Sequence, residues 1–151
     1  LGRLVVDPDA LVTLAHWEPP PQTPKRFATW FFLAAAPDGA VTVDGGEITE
    51  HTWARPADTI ERRDAGEIEL APPTWVTLHT LATHADTASA LEAAARSTVE
   101  HFTTRAALTA DGGVVAMWHG DAGYETGEAD TPGPRHRLWM VDTGWRYERH
   151  D

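Results

Sequence analysis

One stretch constrains the fold more than any other: Arg26 to Ala36, with aromatic side chains at Phe27, Trp30, Phe31 and Phe32. In extended backbone, successive side chains point to opposite faces, so this run places apolar groups on both. Such a pattern predicts a central strand covered on both sides. The segment before it, Pro19-Pro20-Pro21-Gln22-Thr23-Pro24, can join neither a sheet nor a helix, because proline lacks the donor and fixes φ. It is a connecting loop, and Leu11 to Trp17 on its far side reads as another strand.

The remaining punctuation divides the chain further. Leu4-Val5-Val6 reads as an apolar start, with Asp7-Pro8-Asp9-Ala10 a turn. Pro37-Asp38-Gly39 is another turn, followed by short strands over Val41–Val43 and Glu47–Trp53. Pro56 at a first helical position and Gly66 at a C-terminal cap predict a helix over 56–65. Pro72-Pro73-Thr74 opens a second, with Trp75, Leu78 and Ala82 at helical spacing. Asp86 or Thr87 caps a third running to about His101, with Leu91, Ala94, Ala95 and Val99 inward. Beyond it, Asp111-Gly112 and Asp142-Thr143-Gly144 mark two hairpins, and Gly120 to Pro134 is an acidic loop rich in Gly and Pro. Gly120-Asp121-Ala122-Gly123-Tyr124 and Pro132-Gly133-Pro134-Arg135-His136-Arg137 are distinctive phrases to which the sequence attaches no chemistry.

Several function classes drop out. Twelve Lys+Arg against 23 Asp+Glu give a net charge of −11, which offers no basic face to a nucleic-acid polymer. The longest apolar run, Trp30 to Ala36, is strand-sized and far short of a membrane span. No charged start followed by an apolar stretch marks a secretory signal, so a cytoplasmic location is expected. Without cysteine there is no thiolate nucleophile or ligand, and the only serines, Ser89 and Ser97, lie in a predicted helix. Neither GxxxxGK[ST] nor GxGxxG occurs. The eight histidines are scattered without HExxH spacing, which argues against zinc. Nine acids between Asp38 and Glu69 face three arginines. They form a solvated surface, or else Glu47 or Glu50 helps hold a hard divalent cation.

Read in order, certain phrases are more specific together than alone. Ala15-His16-Trp17 and the proline loop precede Arg26-Phe27-Ala28-Thr29-Trp30-Phe31-Phe32-Leu33-Ala34. Asp44 and Glu47 lead into Trp53-Ala54-Arg55-Pro56-Ala57. Ala65-Gly66-Glu67 runs through Leu70 to Pro72-Pro73-Thr74, with Leu78 and Leu81. This order, over roughly residues 1–85, resembles the second half of a Nudix hydrolase domain, closest to the coenzyme A diphosphatase-like branch. Two departures stand out. The family's box, G-x5-E-x7-R-E-U-x-E-E-x-G-U, has no counterpart, since the chain contains neither an Arg-Glu nor a Glu-Glu dipeptide. Ala28-Thr29-Trp30 also stands where that branch has Asp-Thr-Arg.

The resemblance implies an α/β protein built as a Nudix-like α/β/α sandwich with a mixed sheet, partial in this chain. A C-terminal helix and β-hairpin extension would follow. Residues 1–100 would be the C-terminal portion of the Nudix-like domain, and 101–151 a β-rich extension packed on it. The implied activity is metal-dependent cleavage of a diphosphate linkage in a nucleoside diphosphate derivative, coenzyme A-like or related, using Mg²⁺ or Mn²⁺. The box would lie before Leu1, in a missing N-terminal half, so these 151 residues alone are expected to be inactive. Within them Glu47 would be an auxiliary metal ligand or base, Arg26 a phosphate contact, and Trp17 and Phe27 stacking partners for a base. Each also has a plain structural reading: aromatic packing, a surface ion pair, an exposed carboxylate at a strand end. The alternatives for the chain are a Nudix-like non-catalytic binding or interaction module, or a partner-dependent structural subunit. The aromatic hairpins allow a homodimer contact.

Overall fold

The computed structural model describes residues 7–109, 112–141 and 144–150. The apolar start Leu4–Val6 therefore lies outside the described residues, as do Asp111, Asp142 and Thr143 of the two hairpin turns. Asp7 opens a 3-10 turn over Pro8–Ala10, its carboxylate accepting from the Asp9 N–H at 3.0 Å. Strand β1 (Val12–Glu18) follows, and beyond the proline loop comes β2 (Thr29–Leu33). Three helices come next: α1 (Pro56–Asp64), α2 (Pro72–Leu81) and α3 (Thr87–Arg96). The chain ends in β3 (Glu100–Thr103), β4 (Arg105–Leu108), β5 (Val114–Met117), β6 (Arg135–Val141) and β7 (Gly144–His150).

The described residues are thus mixed α/β, with two sheets. One has the order β2-β1-β3, with β2 antiparallel and β3 parallel to β1; the other is the antiparallel meander β4-β5-β6-β7. The parallel pair needs a crossover, and the three helices lie within it. One apolar cluster joins the two sheets. Ala15 and Trp17 of β1 and Phe102 of β3 meet Trp75 and Val76 of α2, Ala116 of β5, Trp118, and Leu138 of β6. The proposed boundary at 100/101 falls inside β3, and the cluster takes residues from both sides of it.

Helix starts follow their prolines: α1 and α2 begin at Pro56 and Pro72, where a missing N–H costs nothing. Asp86 caps α3 through a reciprocal pair of bonds with Ser89. Other expectations are corrected. The run Arg26–Ala36 is not a central covered strand. Among the described residues β2 has five residues at one end of its sheet, with Trp30 49% and Phe32 53% exposed. Glu47–Trp53 and Val41–Val43 are not strands, because the Asp44 carboxylate takes the N–H groups of Gly46 (2.9 Å) and Ile48 (3.1 Å). That local fold competes with a ladder. Helix α3 ends at Arg96 rather than near His101: Ser97 is already extended, and His101 belongs to β3. On α2 it is Val76, not Ala82, that is buried with Trp75; on α3 it is Ala90.

Candidate functional site

The proline loop carries the chain from β1 to β2. There it walls a mostly apolar pocket of about 430 Å³. Trp17, Pro20, Phe27, Pro72 at the start of α2, Trp118 and Met140 line it. Glu18, Lys25, Thr29 and Thr104 supply the polar edge. A concave apolar space of this size with a few polar groups is the usual form of a small-molecule site.

Two of the four residues singled out from sequence meet here and two do not. Phe27 lines the pocket and is 73% exposed, so its ring is available to a ligand. Trp17 lines it as well, but only 3% of its surface is exposed. Its ring stacks on Phe102 at 3.7 Å between centroids, in parallel planes, while Trp118 meets it edge-on at 5.5 Å. Trp17 is therefore a wall held by the core. Arg26 is exposed beside Phe27 but outside the pocket lining, and Glu47 is exposed in the loop that Asp44 organises.

Those acids are not gathered, among the described residues, into a centre of three or more ligands. The Asp44 carboxyl lies below its usual range because the Gly46 N–H, and after it the Ile48 N–H, favour the ionised form. Among the described residues, no group of three or more His, Asp or Glu side chains is placed to hold an ion. Among the described residues, then, Glu47 and its acidic neighbours supply no such donor set for the Mg²⁺ or Mn²⁺ that the Nudix resemblance implies. Nor is any helix of the described residues long and apolar enough to cross a membrane.

Sequence reading missed a polar cluster beside the core. The two distinctive phrases at Asp121 and Arg137 meet, and both side chains are completely buried. Arg137 donates from Nε to Asp121 Oδ2 at 2.7 Å, from Nη2 to Oδ1 at 2.6 Å, and from Nη1 to the Ala129 carbonyl at 2.5 Å. The N–H groups of Gly123 and His136 complete the carboxylate's partners. Neighbouring His136 donates from Nδ1 to the His119 carbonyl at 2.8 Å. Its Nε2 is left buried without a hydrogen bond, 3.6 Å from Glu100. A buried charge needs such a partner, so the pair ties the acidic loop to β6; sixteen residues of separation hide it from any local pattern.

Comparison of the chain with family models, with curated proteins and with solved structures finds no match.

Proposed function

We propose that this chain is a ligand-binding module of Nudix-like architecture, an α/β/α sandwich in part. It takes the flat, apolar portion of a nucleoside diphosphate derivative against Phe27 in the pocket at the proline loop. One observation carries the reading: two residues chosen from the resemblance as base-stacking partners, Trp17 and Phe27, line the same apolar pocket. Phe27 supplies the exposed ring face, Trp17 a wall that cannot collapse because Phe102 and Trp118 brace it. Lys25 is the lining cation and faces the charge of a phosphate. No hydrolytic step is assigned to these residues, because the glutamates of the Nudix box, to which the resemblance gives the metal, have no counterpart among them. The diphosphatase activity that the resemblance implies would need ligands other than these.

Titration calorimetry of the 151-residue chain with adenosine, ADP and coenzyme A tests the proposal. Phe27→Ala is expected to weaken all three by about fivefold, the low end of what a stacked base gains from an aromatic ring. Lys25→Ala is expected to weaken ADP and coenzyme A but not adenosine. Neither Mg²⁺ nor Mn²⁺ should produce turnover by the chain alone. Absence of binding, or binding indifferent to Phe27→Ala, would sink the pocket assignment. Metal-dependent hydrolysis by the purified chain would sink the non-catalytic one.

A further inference from the structure

The register that packs the core has a consequence on the opposite face of the same sheet. Strands β1 and β3 run parallel with Trp17 beside Phe102, which stacks those two rings inward. One residue earlier in each strand the side chains point the other way, and the same register sets His16 beside His101. Their ring centroids are 5.5 Å apart, and Trp30 on β2, paired with His16, lies 4.4 Å from one imidazole and 6.0 Å from the other. His101 is exposed and His16 half-buried, and neither ring is engaged in a hydrogen bond or ion pair among the described residues.

We propose that His16 and His101 form a two-histidine site for a borderline divalent cation, Zn²⁺ or Cu²⁺, on the outer face of the three-stranded sheet. Imidazole suits these ions, whereas Mg²⁺ and Ca²⁺ take oxygen ligands. Geometry supports the pairing. An ion held about 2.0–2.1 Å from one nitrogen of each ring, at a near-tetrahedral angle, sets the ring centroids about 5 Å apart. The observed 5.5 Å lies close to that spacing. Parallel strands fix the two Cα atoms, so the chelate is organised before the ion arrives. With two protein ligands, the remaining positions on the ion stay open to water or to an outside group. The site is separate from the proline-loop pocket, which contains neither histidine.

Calorimetric titration of the full chain with ZnCl₂, CuCl₂ and MgCl₂ tests this. The expectation is one Zn²⁺ or Cu²⁺ per chain and no response to Mg²⁺. His16→Gln and His101→Gln should each weaken binding on the order of tenfold or more, since even loss of a ligand's outer partner costs that much. His84→Gln, at a histidine in the turn between α2 and α3, should leave it unchanged. Bound Cu²⁺ should quench emission from Trp30, and Trp30→Phe should remove that part of the quenching. His101→Gln alters an exposed side chain, and an unchanged circular dichroism spectrum would show that it folds. Binding that survives both histidine substitutions, binding that follows His84 instead, or no binding at all overturns the proposal.

Discussion

Asp121 and Arg137 show how much one pair of residues can decide. Both side chains are fully buried, and each ion is held by the other and by backbone groups, with the Trp139 ring 5.2 Å from the guanidinium carbon. Burial alone would push the Asp121 carboxyl up. The Arg137 guanidinium and the N–H groups of His136 and Gly123 more than offset it, holding the carboxyl below the usual range. Removing one partner strands the other ion in the interior. Asp121→Ala should therefore destabilise the protein by about 3–5 kcal/mol, measured by urea denaturation. Replacing both together, Asp121→Leu with Arg137→Met, should restore much of the loss, because the desolvation cost of both charges goes with them. A single-substitution loss below about 1 kcal/mol would mean that the pair behaves as a surface salt bridge does.

Among the elements, helix starts and the end of α1 are the most legible, because their signals act within a few residues, whereas α3 stops at Arg96, five residues short of the expected end. Pro56 and Pro72 start α1 and α2, and Gly66 follows α1 with φ +75°, a conformation that a Cβ opposes. Nothing would meet a Cβ at Gly66, so Gly66→Ala isolates the backbone term. A loss of about 1 kcal/mol in thermal or urea unfolding is expected. A neutral result would mean that the turn relaxes out of the left-handed region. Strands were less legible, since a strand's place depends on partners far along the chain. The aromatic run at β2 shows which side chains alternate, but not whether anything covers the outer face, and Trp30 and Phe32 lie open there. For the same reason the sequence names Trp17 and Phe27 as ring-bearing candidates yet cannot show that one is braced and the other free. His16 and His101, 85 residues apart, become neighbours only through the parallel register of β1 and β3.

At the scale of the molecule, the two sheets share one core, and charged groups bridge them beside it. Arg149 on β7 lies 2.6 Å from the Glu100 carboxylate on β3, and His136 on β6 faces the same carboxylate at 3.6 Å. Burial holds the His136 imidazole below its usual range, against the pull of the His119 carbonyl and of the Glu100 and Asp121 carboxylates; Arg149 adds to the lowering. The unfolded chain therefore takes up this proton before the folded protein does. Stability present above about pH 6.5, the ordinary imidazole value, should fall as acid carries the pH down through that value toward the folded one. Asp121, also depressed, adds a second loss below about pH 4, where the unfolded carboxyl protonates first. Unfolding free energy followed from pH 8 to pH 3 should thus decline in two windows. His136→Gln, which cannot take up the proton, should flatten the upper window and leave the lower one in place. If the slope between pH 7 and pH 5 is the same in His136→Gln as in the parent, the acid sensitivity of the sheet-to-sheet seam does not reside in His136.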